Sequence, residues 1–262
     1  MSRRLSAALL LLLTVAAIFV SLRPGYSYAA QDRDAIMAGA SAQHWTGTDQ
    51  LGRDRTTRMG SAVLLGLSGA AIASVASTGI AAVLGSLTAF LGRSLAFLVM
   101  LVNDAFLALP WLFLLMIVRS GLPLTASPIQ SAVVTFLTLA ALGWPACTRT
   151  VYQRSRQLRA ADWMIQARAA GLGRSQIIRR HLLPQLRPLL LTQFLISIPV
   201  FLIAEANLGT LGLGVAEPLP SWGAMLLELD QSALLTRSPL NYLPIALLVS
   251  VLLLFEMIAV EV

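Results

Sequence analysis

Asp162-Trp-Met-Ile-Gln-Ala-Arg-Ala-Ala-Gly171, followed by Arg179-Arg-His-Leu-Leu-Pro184, forms the centre of the one long polar stretch in this chain, residues 149–187. Nine of the nineteen arginines fall inside it, and apolar runs flank it on both sides. A polar segment held between two apolar runs reads as a loop on one face of a membrane. Residues 160–170 suit a short helix, with Asp162 near its start, where the helix dipole favours an acid. Gly171 and Gly173 break that helix, and residues 174–183 suit a second turn that Pro184 stops. Two short helices meeting at a corner, each tied to a membrane span, can pass on a rigid push and offer a docking surface to a soluble partner.

Composition agrees with a membrane setting. The 262 residues are 57% hydrophobic and only 12% charged, with mean hydropathy +0.77. Soluble domains carry about 25% charged residues. A spanning helix needs roughly 20 apolar residues, whereas barrel strands are about 10-residue alternating segments. The uncharged runs here are continuous, which predicts an all-α membrane protein of about six transmembrane helices. The candidate spans are Leu5–Leu22, the interval between Arg58 and Arg93, Arg93–Val118 (interrupted by Asn103-Asp104 and Pro110), Ile129–Thr148, Leu189–Leu211 and Leu240–Val260. The first run, at 18 residues, exceeds the 7–15 residues of a cleaved signal core. An intact first helix is therefore expected, although Ser27-Tyr28-Ala29 offers a small-residue cleavage site.

Arginine placement sets the orientation. With both termini cytoplasmic, the inner segments hold Arg3, Arg4, Arg93 and the nine of the long loop, against two acids, Asp162 and Glu261. The outer segments hold seven arginines, among them Arg119 and Arg237, against eight acids. Residues 149–187 are thus expected in the cytoplasm. The sequence pI of about 10.9 becomes a topology signal; no aromatic-studded basic surface supports nucleic-acid binding. There is no lysine, which excludes a Walker-type phosphate loop in this chain. Work driven by ATP must then be done by other subunits. Two histidines, His44 and His181, and one cysteine, Cys147, are too few for a metal cluster, and no catalytic constellation is present. His181 is expected to pack at the corner of the loop, and Glu256 to lie at the membrane interface.

The second run is rich in small residues, 21 of the 34 positions between Arg58 and Arg93 being Gly, Ala, Ser or Thr. Small residues let helix backbones approach closely in lipid, so this helix is expected to be buried among others, along a pathway or within one subunit. Asp104 carries a charge inside a span, which is costly. It either lines a pathway or fixes helix packing together with Asn103.

Three ordered segments resemble one family. Aligned on Gly171, the loop is similar to the signature of bacterial binding-protein-dependent ABC importer permeases: Glu-Ala-Ala, three residues, Gly, nine residues, Ile-x-Leu-Pro. Ile165, Gln166 and Ala167 occupy the Glu-Ala-Ala positions, so the Glu and one Ala are absent, and His181-Leu-Leu-Pro184 closes the motif. Residues 44–54, His-Trp-Thr-Gly-Thr-Asp-Gln-Leu-Gly-Arg-Asp, and residues 205–226, with Glu-Ala-Asn-Leu-Gly-Thr-Leu-Gly-Leu-Gly and Pro-Ser-Trp-Gly-Ala-Met-Leu, resemble the dipeptide, oligopeptide and nickel branch, specifically its C-type permease.

The resemblance implies a type I importer permease in the bacterial inner membrane, divided into residues 1–58 (first helix and external lead-in) and a permease core, 59–262. It implies a heterodimer with a sister permease, two ATP-binding subunits that hold ATP and magnesium, and an extracytoplasmic solute-binding protein. It further implies that Asp162, Trp163, Ile165, Gln166, Ala167, Arg168, Ala169, Ala170, Gly171, His181 and Pro184 meet an ATPase subunit. Asp49, Arg53, Asp54, Glu205 and Trp222 fall on the binding-protein or gate side. For these five a structural role as helix cap, salt bridge, helix end or interfacial aromatic stands beside the functional one. Peptides are the expected cargo, with haem, a nickel chelate or glutathione as alternatives, and a stand-alone secondary transporter as the remote one.

Overall fold

The computed structural model describes residues 3–121, 127–230 and 239–260. Arg237, Glu261 and the side chain of Arg168 lie outside the described residues. Among those described, the chain is helical with only isolated bridges: α1 Arg3–Ser21, α2 Arg55–Thr88, α3 Arg93–Ala108, α4 Trp111–Ser120, α5 Pro128–Arg159, α6 Asp162–Ala169, α7 Arg174–Ile177, α8 Leu183–Thr210, α9 Trp222–Asp230 and α10 Leu243–Val260. Five helices are long and apolar enough to cross a bilayer. The pair α3 and α4, bent by 79°, brings the number to six when counted as one broken span. The break falls where the sequence dictates. Pro110 has no N–H to continue α3, and it drives Leu109 into an extended backbone (φ −79, ψ 135) as residues before proline prefer.

Helix α2 is the hub, packing on α1, α5 and α8 and touching α3 and α9. Its 34 residues rise about 50 Å at ~1.5 Å each, well beyond a hydrocarbon core of about 30 Å. The small residues are used as expected, for packing within the subunit. A Cβ on Gly85 would stand 2.9 Å from the Thr148 carbonyl oxygen and the Tyr152 nitrogen of α5, and one on Gly66 would stand 2.6 Å from the Trp222 indole. Large apolar side chains with no helix to cover them, such as Phe97, Leu98, Phe113, Ile117 and Ile129, are exposed on the outside of the bundle, as lipid requires. Glu256 is exposed on α10, one turn from the end of that helix.

The polar stretch 149–187 differs from a loop. Helix α5 runs eleven residues past Thr148 to Arg159, and the far side is helical from Ser175 without a break to Thr210. A helix leaving the membrane keeps its own hydrogen bonds once its side chains turn polar, so the loss of hydropathy at Arg149 marks the membrane boundary and not the helix end. Pro184 does not stop the second helix either. Ile178–Leu182 form a π-helical turn in which the Leu183 N–H donates to the Ile178 carbonyl. The wider turn makes room for a proline ring that would otherwise meet the carbonyl of the preceding turn. What remains of the loop is an elbow of α6 and α7.

Candidate functional site

The elbow is built around one short helix with two different faces. Met164 and Ala167 of α6 are buried in an apolar cluster with Ala81, Ala89 and Phe90 at the end of α2, Val151 and Leu158 of α5, and Ile177, Leu182 and Leu186. Asp162, Gln166, Ala169, Ala170 and Gly171 face outward, and Ile165 is 62% exposed. Trp163 lies against the His181 ring at 5.9 Å between centroids, so His181 packs at the corner as its sequence position implied. Helix α6 ends in a Schellman closure: the Leu172 N–H donates to the Ala167 carbonyl at 3.2 Å, and Gly171 takes φ +77, the left-handed position that glycine fills without strain. Pro184 is half-buried at the head of α8.

A polar clamp ties the end of α5, where the elbow begins, to the end of α2. Arg159, the last residue of α5, donates from Nη1 to the Ala89 carbonyl at 2.6 Å and lies over the Phe90 ring at 5.5 Å. Its cation therefore meets the carbonyl end of α2, where the helix dipole favours positive charge. Helix α6 is thus seated on the ends of α2, α5 and α8 through the apolar cluster.

At the opposite end, Asp49, Arg53 and Asp54 are buried and do not present a free surface. Asp54 caps α2, accepting from the Thr57 N–H at 2.8 Å and hydroxyl at 2.7 Å, and meets His44 Nδ1 at 2.9 Å. Asp49 accepts from the Arg53 N–H at 2.8 Å and Nε at 2.6 Å. Arg53 reaches Glu217 at 2.5 Å. The structure thus supplies the cap and salt bridge that the sequence allowed.

Sequence reasoning missed the centre of this network. Arg58, which reads as a span boundary, is fully buried and faces Glu217 at 3.1 Å, Glu228 at 3.4 Å and Asp49 at 3.6 Å. It joins the lead-in to the segment between α8 and α10. Burial pushes the Glu228 carboxyl above its ordinary range, against the pull of Arg58. Arg119, also counted only as a boundary charge, is buried at the end of α4, donating to the Leu213 carbonyl at 2.7 Å and the Ser131 hydroxyl at 2.8 Å. The available signal was a set of arginines at span ends matched by acids in the outer segments.

Glu205 and Trp222 are interior residues. The Glu205 carboxylate is fully buried near the start of α9, toward the Ser221 hydroxyl and the Trp222 and Gly223 N–H groups, with neither oxygen in close hydrogen-bond geometry. Its neighbours are thus the N–H end of α9 rather than the backbone of its own helix end. Trp222 is 1% exposed against Gly66 and is not an interfacial tryptophan: the glycine on α2 leaves a slot that the indole fills. Beside it the backbones of α8 and α9 touch. A Cβ on Gly209 would stand 2.3 Å from the Gly223 Cα.

Asp104 pairs with Arg149 at 2.8 Å, and both side chains are about half exposed. The pair bridges α3 and α5 on the outside of the subunit. Asn103, expected to bond locally beside Asp104, is instead buried with its amide unpaired among the described residues. The partner of Asp104 was hidden because Arg149 reads as loop, whereas it belongs to α5.

Comparison with known proteins fits this architecture. The family described as binding-protein-dependent transport system inner membrane component matches residues 81–262. The oligopeptide transport system permease protein OppC of Mycobacterium bovis is 33% identical over 253 residues, covering 94% of this chain and 82% of that one. OppC of Mycobacterium tuberculosis aligns to the same extent. The dipeptide transport system permease protein DppC of Alkalihalophilus pseudofirmus is 30% identical over 215 residues, covering 82% and 69%. A multi-pass inner-membrane helical bundle with these relatives belongs to the family of binding-protein-dependent transport system inner membrane components.

Proposed function

We propose that this chain forms half of the translocation pathway of a peptide importer. In this reading it pairs with a sister permease, rests on two ATP-binding subunits that carry ATP and magnesium, and receives cargo from a solute-binding protein at its external end. The chain itself performs no catalysis and holds no cofactor. The observation that carries the reading is the two-faced helix α6: Met164 and Ala167 lock it to α2, α5 and α8, while Ile165 is left 62% exposed outside the bundle beside Asp162, Gln166 and Ala169. An exposed isoleucine flanked by polar groups on a short helix suits a cleft in a soluble partner. Peptides are preferred as cargo because the relatives that cover most of this chain are named as oligopeptide and dipeptide permeases.

The test uses the reconstituted complex. Burying an isoleucine stabilises by about 1.5–3 kcal/mol, so Ile165→Glu is expected to weaken ATPase docking by at least roughly tenfold while the subunit still inserts. Gly171→Leu meets no atom within 4 Å of the new Cβ but holds φ +77, a strain of about 1–2 kcal/mol. It is expected to lower cargo-stimulated ATP hydrolysis without loss of membrane insertion. Unchanged stimulated hydrolysis in both variants refutes the assignment of α6.

A further inference from the structure

We infer that the cleft between α3 and α5 at the elbow end holds the headgroup of an anionic phospholipid. Two adjoining cavities, each of about 620 Å³, share Arg93, Tyr152 and Arg156 in their walls. One continues into Arg159, Thr88 and Gly92, and the other into Phe97, Leu98 and Met100. The first is therefore polar, and the second leads from cations down to apolar side chains.

The charge in this cleft is unbalanced. Arg159 is engaged by the Ala89 carbonyl, and Arg149, in a neighbouring cavity, is engaged by Asp104. Arg93 has no carboxylate within ion-pair distance among the described residues. Neither has Arg156, whose guanidinium lies 5.8 Å from the centre of the Tyr152 ring. Two guanidinium groups in an open cleft present planar donor sets that match a phosphodiester.

The level in the membrane selects the occupant. Arg93 is the first residue of α3, and the uncharged run Leu95–Val102 begins two residues later, so its cation stands at the edge of the hydrocarbon. Phe97 and Leu98, which line the lower cavity, are 65% and 54% exposed, as side chains beside acyl chains would be. Basic pockets between spans on the cytoplasmic side suit anionic headgroups, and the arginine distribution assigns this end to the cytoplasm. A phosphate at the head and chain carbons beneath it satisfy both halves of the lining; a free phosphate ion would satisfy only the first.

The experiment takes the purified whole importer in neutral detergent. Phosphatidylglycerol, phosphatidylcholine and inorganic phosphate are added separately, and retained lipid is counted by native mass spectrometry alongside the thermal unfolding midpoint. Phosphatidylglycerol is expected to be retained and to raise the midpoint, and phosphatidylcholine to do neither. Each arginine near an anionic headgroup contributes roughly fivefold, so the double variant Arg93→Gln, Arg156→Gln is expected to bind phosphatidylglycerol about thirtyfold more weakly, with its midpoint in phosphatidylcholine unchanged. The single variants should fall between. The assignment is overturned if the double variant retains phosphatidylglycerol as the parent does, or if inorganic phosphate raises the midpoint as far as the lipid. It is equally overturned if the sister permease shields Arg156 from a guanidine-directed reagent in a complex that carries no lipid there.

Discussion

Arg58→Met is expected to unfasten the end of the bundle opposite the elbow, lowering stability by about 3–5 kcal/mol, the usual loss when one member of a buried ion network is removed. The guanidinium is fully buried and faces Asp49, Glu217 and Glu228. Without it, Asp49 and Glu228 stay in the interior with less compensation. Glu217, about half exposed, can turn toward solvent and suffers less. Membrane-inserted protein should fall, and the thermal midpoint of what remains should drop. Adding Asp49→Asn and Glu228→Gln to Arg58→Met should recover part of the loss, because it is the stranded charges, more than the missing side chain, that destabilise. A midpoint unchanged in Arg58→Met would show that the network contributes nothing.

Gly209→Ala is the second large effect. The added methyl would stand 2.3 Å from the Gly223 Cα, and a backbone atom cannot rotate away as a side chain can. Helices α8 and α9 must part by more than an ångström, and the Glu205 carboxylate then loses its place opposite the N–H end of α9. Overpacking of this kind costs about 1–3 kcal/mol, sometimes more. The expected result is loss of uptake with α6 still able to bind its partner, read as uptake against ATPase co-purification. Gly223→Ala should behave alike, since it closes the same contact from the other side. Full uptake in both variants would mean that the two backbones separate without consequence.

Much of the fold was legible because the membrane writes it in simple units. Apolar runs of the right length located the five long helices and the bent pair α3 and α4, and Pro110 marked the break between those two. The corner at Gly171 was legible for a different reason: a helix cannot turn back so sharply without a residue that accepts φ +77. Where hydropathy alone was the guide, the reading stopped short. The last eleven residues of α5 are helical yet polar, and Pro184 sits inside a helical path that a π turn keeps open.

The site was legible by position more than by contact. Asp162–Gly171 emerged from spacing, but which face of α6 is free follows from Met164 and Ala167 being buried, and nothing local in the sequence distinguishes them from Ile165. The pairings Asp104 with Arg149, Arg58 with Glu217 and Trp222 with Gly66 join residues 45 to 159 positions apart. Such contacts depend on how helices lean on one another, and a single chain read along its length carries no record of that.

From Ser175 to Thr210 the helix runs 36 residues unbroken, through Pro188 and Pro199. Along it, the π turn at Ile178–Leu182 and the two prolines each interrupt the regular backbone ladder, so bending of this strut concentrates at those levels and the stretches between them keep their shape.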